Sequence, residues 1–375
     1  MLIRKIFLFL ICLVTVASIS ELLCNAYVDI SISAESAIVI NADTNEIIFE
    51  KNSYKKMPMA STTKIMTSLL AVESGKLSDV VHIDGIAAEG TSIGLKNGDA
   101  LTLKSLVYGM LLESGNDAAQ ATATYLAGSE QAFAKLMNKK AYSLHMNSTN
   151  FVTSSGLDAD GHYSTAYDMA LLGAFAIKNP LFRSICSDEK EAVEMISPEI
   201  SLYMQNHNKL LTNCNGVFGI KTGFTKKSGR CLVTSCERNG ITLVAVTLNA
   251  PDDWNDHKKL YDTSYSALRS EEVILPCPEY INVYGADEAK VKVDINKNSY
   301  IHSYLKKEKA EIEVVLPRII YAPLNEGDVV GFVNVILGDK VIHNEPISAL
   351  ESVNKISGKE KPEPNFISKF FNIFF

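Results

Sequence analysis

The sequence predicts an α+β domain followed by a small all-β domain. Two short strands around an Asp-Thr-Asn turn come first, within residues 36–50. Apolar residues at helical spacing then dominate residues 101–178, and β-branched strands follow after about residue 214. Because strands both precede and follow the helical block, we expect the first hairpin to join the late strands in a single sheet.

Periodicity and helix-capping residues set the expected bounds of the individual elements. Ser129 and Thr165 are residue types that cap helix N-termini, and Gly75 suits the end of a helix. The predicted helices are Ser61–Gly75, Leu103–Leu112, Asp117–Leu126, Ser129–His145, Thr165–Ile177 and Asp256–Leu268. The predicted late strands are Val217–Thr222, Cys231–Cys236 and Ile241–Leu248, with a hairpin turn over Glu237–Gly240.

The chain is expected to divide into segments of different character. The sequence Pro276-Cys277-Pro278 marks a break, after which short alternating β-branched runs predict a small all-β domain. This domain has no cluster of groups able to do chemistry, so we expect no catalytic role for it. The predicted segments are a signal peptide (1–26), the α+β domain (27–272), the small β-rich domain (276–350), a polar linker (351–364) and an amphipathic helix (365–375).

The N-terminal segment is typical of a secretory signal. Arg4 and Lys5 precede an apolar run of about a dozen residues, which is shorter than the roughly 20 that a membrane-spanning helix needs. Ala26, with the small Cys24 two residues before it, is the expected cleavage point, and an uncleaved anchor is the alternative. The mature protein is therefore expected to work outside the cytoplasm.

The C-terminal segment is rich in phenylalanine. On a helix, one face would carry Phe366, Ile367, Phe370, Phe371, Phe374 and Phe375. A segment of this length is too short to span a bilayer, but its apolar face suits burial in a membrane interface. We expect it to hold the protein at a membrane surface, and the alternative is that it packs on the protein's own core.

Charge, cysteine and histidine content limit the partners and cofactors. The formal net charge is −7, from 36 Lys+Arg and 43 Asp+Glu, which gives no reason to expect a nucleic acid. No cysteine spacing resembles a zinc site or a redox pair, and the scattered histidines lack a zinc-ligand spacing, so we predict neither metal nor cofactor. The mature chain keeps Cys186, Cys214, Cys231, Cys236 and Cys277. Free thiols are expected, with pairing of Cys214 to Cys231 or Cys236 as the alternative.

Ser61-Thr62-Thr63-Lys64 is the first pattern that can carry chemistry. Residues i and i+3 share a helix face, so the amine of Lys64 is expected to reach the hydroxyl of Ser61. A serine becomes nucleophilic when a neighbouring base takes its proton, and a desolvated lysine can be neutral enough to do so. Alone the pattern is weak, because a chain with 36 Lys+Arg is expected to match it by chance.

Two further patterns follow along the chain. Ser114-Gly115-Asn116 lies between two predicted helices, where a loop can point a hydroxyl and an amide into a cleft. Lys221-Thr222-Gly223 lies on a predicted strand, where Lys and Thr can bind a carboxylate and Gly lets a substrate backbone approach. Separately, these are no more than a helix cap and a solvated edge strand.

Together and in this order, the patterns resemble the SxxK, SDN and KTG signature of penicillin-binding proteins and class A β-lactamases. SGN in place of SDN, followed by Asp117-Ala118, is similar to the D-alanyl-D-alanine carboxypeptidases, the low-molecular-mass penicillin-binding proteins of peptidase family S11. Further segments that are similar to this family are residues 60–67, 156–157, 161–168, 219–225 and 322–328. The resemblance implies a serine β-lactamase/penicillin-binding-protein-like transpeptidase domain, an antiparallel sheet with a helical block, followed by a small all-β domain.

The resemblance also implies a role for each matching residue. Ser61 would attack the penultimate D-Ala carbonyl of a peptidoglycan stem peptide, with Lys64 as general base, and β-lactams would acylate the same serine. Ser114 would relay the proton to the leaving amine, and Asn116 would hold the substrate amide. The implied substrate-binding residues are Lys221, Thr222 and Gly223. Lysine and meso-diaminopimelate remain alternatives for the third residue of the stem.

One position departs from the family pattern. Many relatives carry an aspartate directly before Gly-x-Lys-Thr-Gly, and this chain has Phe218 there, which puts substrate preference or local packing in question. His162 is expected to make a structural hydrogen bond because the implied mechanism does not need it.

Two alternative functions stay open at this point. A β-lactamase would use a Glu-x-x-x-Asn loop between the second and third motifs, and no such pentad occurs there. A non-hydrolytic penicillin-binding sensor or wall scaffold would have lost the chemistry, but all three motifs are intact.

Overall fold

The computed structural model describes residues 30–87, 89–304 and 310–356. The predicted signal peptide and C-terminal amphipathic helix lie outside the described residues. Within these ranges, no helix has the length and apolar content needed to cross a membrane. The chain divides after Ser270 into two compact units, with Ser303 and Tyr304 returning to the first.

The first unit contains nine strands in the described ranges. They are β1 (Ser36–Asn41), β2 (Ile47–Lys51), β3 (Val80–His82), β4 (Ala100–Thr102), β5 (Lys190–Ser197), β6 (Ile200–Gln205), β7 (Val217–Thr225), β8 (Gly229–Arg238) and β9 (Ile241–Leu248). The α-helices are α1 (Lys64–Glu73), α2 (Leu103–Leu111), α3 (Asn116–Ala127), α4 (Glu130–Ser143), α5 (Ala166–Ala176), α6 (Pro180–Ser187), α7 (Leu210–Asn213) and α8 (Asp253–Ala267).

A five-stranded sheet in the order β2-β1-β9-β8-β7 forms the centre of this unit. The predicted joining of the first hairpin to the late strands is confirmed, because β1 pairs antiparallel with both β2 and β9. Strand β1 is buried on both faces, since Ile38 and Ile40 belong to one apolar cluster while Ala37 and Val39 belong to another. The order leaves β7, which carries Lys221-Thr222-Gly223, at an edge of the sheet.

Helices cover both faces of the sheet. Helix α5 packs on β1, β8 and β9 and is apolar nearly all round, as expected for a helix with neighbours on every side. Gly173 allows this close packing, because a Cβ there would lie 3.1–3.2 Å from side chains of Val244, Ile220 and Val233. Helix α8 covers the face formed by the second apolar cluster.

Local signals set several element boundaries correctly. Ser129 Oγ accepts a hydrogen bond from the Ala132 amide, and Thr165 Oγ1 accepts one from the Asp168 amide, so the predicted N-caps are confirmed. The predicted β8–β9 turn is also present, with Asn239 and Gly240 both at positive φ.

Two features differ from the predictions. Residues Ala60–Thr63 form a 3-10 turn, and α1 begins only at Lys64, because Ala60 has a positive φ and the Thr62 amide bonds to Met59 O. A second, four-stranded sheet in the order β3-β4-β5-β6 was not predicted. Strands β3 and β4 have only three residues each, too few to show a period, and β5 is rich in Lys, Glu and Ala, which β-propensity disfavours.

The second unit is rich in β-structure, as predicted. The strands from the boundary onwards are β10 (Arg269–Ile274), β11 (Tyr280–Tyr284), β12 (Lys290–Ile295), β13 (Ser299–Tyr304), β14 (Ala310–Val315), β15 (Ile320–Tyr321), β16 (Val329–Leu337) and β17 (Lys340–Ala349). Six of them form a sheet in the order β14-β16-β17-β12-β11-β15. Val353 is buried and pairs with Leu324, so this unit continues into residues for which a linker was predicted.

Candidate active site

A cleft of about 670 Å³ brings the three sequence patterns together. Ser61, Ser114, Thr222 and Gly223 all line it. The other predicted site residues, Lys64, Asn116 and Lys221, are buried. The structure therefore assembles every predicted site residue at or directly behind one surface.

Ser61 and Lys64 are in hydrogen-bond contact. Lys64 Nζ lies 3.0 Å from Ser61 Oγ, because the 3-10 turn and the start of α1 place the two side chains on one face. Gly156, which has a φ of +87°, packs against the backbone of this turn at Ala60. A Cβ on that residue would lie only 1.9 Å from Ala60 O, so glycine is required there.

The hydrogen bonds of Lys64 can be satisfied by a neutral amine. Its Nζ donates to Asn116 Oδ1 at 2.6 Å and to the carbonyl of Ser155 at 2.7 Å. The orientation of the Asn116 amide follows from its Nδ2, which donates to Glu89 O at 2.6 Å. A neutral amine has two N–H groups and one lone pair, so with both N–H groups used the lone pair is left for the hydroxyl of Ser61.

Electrostatics favour the same form. Burial, followed by the positive charge of Lys221, lowers the pKa of Lys64 well below its ordinary value, while Asp117 acts in the opposite direction. The carboxylate of Asp117 accepts hydrogen bonds from the amides of Ile93 and Leu95 and from Ser92 Oγ. Asp117 thereby fixes the loop in front of α3.

Ser114 lies on the loop between α2 and α3, as predicted. Its φ is 64°, which is uncommon for a residue with a side chain and is found at functional sites. The loop is held on both sides of the serine, because the Gly115 amide donates to Gly109 O at 2.9 Å and the Asn116 amide donates to Thr91 O at 2.7 Å.

Strand β7 forms the opposite wall of the cleft. A Cβ on Gly223 would lie 3.0 Å from Ser61 N, so the absence of a side chain lets the strand lie against the turn. Lys221 is 1% exposed. Burial lowers the pKa of Lys221 to about 7, although the carboxylate of Glu113 raises it.

The loop that precedes α5 was missed as part of the site. Besides Ser155 O, it supplies Ser154 O, which accepts from Thr67 Oγ1 at 2.6 Å on α1. Glu130 anchors this loop, since its carboxylate accepts from both the amide and the hydroxyl of Ser154. A backbone carbonyl can come from any residue type, so the sequence does not show which carbonyls contribute to a site. The similarity of Gly156-Leu157 to the family was the one indication that this loop belongs to the site.

His162 makes the structural hydrogen bonds expected of it. Its Nδ1 accepts from the Val152 amide at 2.9 Å, which leaves the proton on Nε2, 2.9 Å from Thr63 Oγ1. Burial lowers the pKa of His162 to about 4, so the ring is neutral at physiological pH. It clamps the loop to the turn that carries Ser61.

Phe218 packs away from the cleft. The guanidinium of Arg183 on α6 lies 4.0 Å from the centre of the Phe218 ring. The carbonyl of Phe218 accepts a hydrogen bond from Ser187 Oγ at 2.7 Å. The departure from the family pattern at this position thus concerns the packing of α6 on β7.

Metal-ligating groups are not clustered in the described ranges, where no set of three or more His, Cys, Asp or Glu residues could hold an ion. The cysteines of these ranges are free thiols, and Cys186, Cys231 and Cys236 are buried.

Comparison with known proteins identifies the family. The D-alanyl-D-alanine carboxypeptidase family model matches residues 24–252, and the C-terminal domain model of penicillin-binding protein 5 matches residues 266–355. The D-alanyl-D-alanine carboxypeptidase DacF of Bacillus subtilis is 32% identical over 344 residues, which cover 86% of each chain.

Solved structures agree with this match. Penicillin-binding protein 5 of Haemophilus influenzae has a TM-score of 0.62 at 26% identity, covering 87% of this chain and 99% of that one. Penicillin-binding protein D2 of Listeria monocytogenes, in its ampicillin-bound form, has a TM-score of 0.57 at 29% identity, covering 63% of this chain and 99% of that one. With the cleft, its serine–lysine pair and both family models in agreement, the chain belongs to the D-alanyl-D-alanine carboxypeptidase family.

Proposed function

We propose that this protein is a serine-type D-alanyl-D-alanine carboxypeptidase (EC 3.4.16.4), which removes the terminal D-Ala from peptidoglycan stem pentapeptides. The observation that carries the proposal is the desolvated Lys64 amine, whose two donors are used by Asn116 Oδ1 and Ser155 O while Ser61 Oγ lies 3.0 Å away. This is the arrangement that a general base needs in order to activate a serine.

The acylation step follows from these contacts. Lys64 Nζ takes the proton of Ser61 as Oγ bonds to the penultimate D-Ala carbonyl carbon. We assign the backbone N–H of Ser61 the role of donor to the oxyanion that develops. When the C–N bond breaks, the proton passes through the Ser114 hydroxyl to the leaving amine, and free D-Ala departs from an ester on Ser61.

Substrate binding and deacylation complete the cycle. Asn116 holds the substrate amide, Lys221 and Thr222 attract the terminal carboxylate, and Gly223 lets the peptide lie along β7. Lys64, neutral again after passing on its proton, activates a water that hydrolyses the ester. β-Lactams acylate Ser61 by the same first step, and the ampicillin-bound relative from Listeria supports this. We place the enzyme in the cell-wall space, and the membrane-surface role of residues 365–375 stays a prediction.

The proposal is tested with purified mature protein and diacetyl-L-Lys-D-Ala-D-Ala, with free D-Ala as the readout and labelled penicillin in parallel. D-Ala release and labelling should both disappear in Ser61→Ala. The matched control is Ser143→Ala, at an exposed serine at the end of α4, and it should keep both. Stable labelling without D-Ala release would instead identify a sensor, and rapid penicillin turnover would identify a β-lactamase.

A further inference from the structure

Glu113 lines the cleft directly before Ser114 but belongs to none of the three motifs. Its Oε1 accepts a hydrogen bond from the backbone amide of Gln205 at 2.7 Å. Its Oε2 lies 3.3 Å from Nε2 of His207. Gln205 and His207 also line the cleft, so the whole group faces the space in which the substrate is proposed to bind.

These contacts join two parts of the first unit that are far apart in the sequence. Glu113 lies on the loop between α2 and α3, whereas Gln205 is the last residue of β6, 92 positions later. Strand β6 belongs to the four-stranded sheet and not to the five-stranded sheet that contains β7. The side chain of Glu113 therefore ties the Ser114 loop to a separate wall of the cleft.

The backbone of Ser114 needs such a tie. Its φ of 64° is uncommon for a residue with a side chain, and such a conformation persists where the surrounding structure holds it. On the C-terminal side of Ser114, the amides of the next two residues are bound to backbone carbonyls, as described above. On the N-terminal side, the carboxylate of Glu113 supplies the corresponding contact.

A negative charge at this place otherwise opposes the proposed reaction. The stem peptide ends in a carboxylate, and like charges in one cleft repel each other. The side chain of Glu113 is only 29% exposed, so solvent screens its charge incompletely. A carboxylate that opposes substrate binding, and that is nevertheless in contact at both oxygens, indicates a positional task.

That task concerns the proton that the leaving amine requires. In the proposed acylation step, the Ser114 hydroxyl gives its proton to the amide nitrogen as the C–N bond breaks, and takes up the proton that Lys64 Nζ received from Ser61. An amine leaves poorly as an anion, so the step depends on the alignment of Ser114 Oγ with that nitrogen. A displacement of about 1 Å can lower the rate of such a step by about 100-fold.

We propose that Glu113 is a positioning residue for the proton relay, and that its bond to the end of β6 keeps the Ser114 hydroxyl in reach of the leaving nitrogen. The proposal rests on the carboxypeptidase function and adds to it a residue outside the motifs that acts through Ser114.

The first test compares two substrates that differ only in the leaving atom. They are diacetyl-L-Lys-D-Ala-D-Ala and the thioester in which sulfur replaces the leaving nitrogen. A thiol has a pKa of about 8.5, so a thiolate leaves without first receiving a proton. In Glu113→Ala we expect kcat/KM for the peptide to fall by about 10- to 100-fold and that for the thioester by less than about 3-fold. Retained thioester cleavage also shows that the variant is folded.

Two variants serve as controls. Glu113→Gln keeps an oxygen acceptor for the Gln205 amide, so its ratio of peptide to thioester cleavage should stay within about 3-fold of that of the unsubstituted enzyme. Glu351, in the second unit, also accepts a backbone amide at 2.7 Å, from Lys292, but does not line the cleft. Glu351→Ala should leave both rates unchanged.

The second test asks whether Glu113 acts through Ser114. Ser114→Ala should lower kcat/KM for the peptide by about 10²- to 10⁴-fold, the usual contribution of a positioned proton donor. No relay remains to be positioned in that variant, so adding Glu113→Ala should lower peptide cleavage further by less than about 3-fold.

The outcomes separate the two proposals. Three results would each show that Glu113 does not serve the relay, while the carboxypeptidase function stands: equal losses for peptide and thioester in Glu113→Ala, no loss for either, or a full additional loss on top of Ser114→Ala. Absence of D-Ala release from the unsubstituted enzyme would instead reject the carboxypeptidase function, and the positioning role with it.

Discussion

The surroundings of Lys64 lower the pKa of its amine well below the ordinary value for lysine. Full burial removes the water that would stabilise its charge, the neighbouring Lys221 repels a second cation, and two oxygen acceptors take both N–H groups of the neutral amine. These effects act together at one atom, 3.0 Å from the hydroxyl of Ser61. The amine of Lys64 therefore loses its proton well below the pH at which an ordinary lysine does.

Replacing Lys64 with arginine should remove this base. An arginine remains protonated, so penicillin acylation and D-Ala release are expected to fall by about 10²- to 10⁴-fold, the usual contribution of general base catalysis. In the unsubstituted enzyme, kcat/KM should rise with pH as Lys64 loses its proton, and level off well below the ordinary lysine pKa of 10.5. Steady-state kinetics between pH 5 and 10 measure both.

The matched control for this substitution is Lys139→Arg, at an exposed position on α4. It should leave the rate and its pH dependence unchanged. A Lys64→Arg variant with more than about a tenth of the wild-type acylation rate would show that another group takes the serine proton.

At the level of elements, the Ala60–Thr63 turn is held by segments distant in sequence. Gly223 lets β7 approach the amide of Ser61, Gly156 packs on Ala60 O, and His162 bonds to Thr63 Oγ1. Helical periodicity predicted the existence of α1 but not this turn. The turn depends on tertiary neighbours that local sequence does not encode.

Gly156→Ala should displace the turn. A methyl group 1.9 Å from Ala60 O cannot be accommodated without a backbone shift, so acylation by labelled penicillin is expected to fall by at least about 10-fold. The free energy of unfolding should fall by about 1–3 kcal/mol, as for other overpacked sites. Labelling rates and urea denaturation test this.

Gly75→Ala provides the comparison, because Gly75 also has a positive φ but no atom within 4 Å of the added Cβ. It carries the same backbone strain without the collision. Equal acylation rates in the two variants would mean that the contact of Gly156 with the turn does not position Ser61.

The molecule as a whole contains buried histidines that make it sensitive to acid. His257 on α8 lies between Thr234 Oγ1 on β8, at 2.7 Å, and Thr247 Oγ1 on β9, at 3.0 Å. Burial lowers the pKa of His257 to about 3, and that of His162 to about 4. Protonation of either ring therefore opposes folding of the first unit.

The free energy of unfolding should accordingly decrease as the pH is lowered below about 6.5. The unfolded chain takes up a proton on each histidine there while the folded one does not, which costs about 1.4 kcal/mol per pH unit for each. In His257→Gln, the slope of the unfolding free energy between pH 6 and 4.5 should decrease by about that amount. Urea denaturation over this range gives the slope directly.

His82→Gln, at an exposed histidine, should keep the slope of the unsubstituted protein. An unchanged slope in His257→Gln would assign the acid sensitivity to other groups.

Local interactions specify some elements of this chain, and long-range contacts specify others. The hairpins, the N-caps at Ser129 and Thr165 and the late strands were predictable because periodicity and capping act within a few residues. The sheet formed by β3–β6 was missed, since β3 and β4 have three residues each and β4 pairs with β5 across about a hundred residues.

The sequence alone determined the succession of the first hairpin, the helical block and the late strands. It also determined the residue types of the three motifs and, through their resemblance to a family, the reaction class. Only the tertiary structure decided the burial and the lowered pKa of Lys64, the burial of Lys221 and the contact of the Ser155 loop with Lys64. Desolvation and hydrogen-bond geometry depend on atoms contributed by segments far apart in the chain. The residue type determines which protonation states and hydrogen bonds are available to a side chain, and the packed surroundings determine which of them are populated.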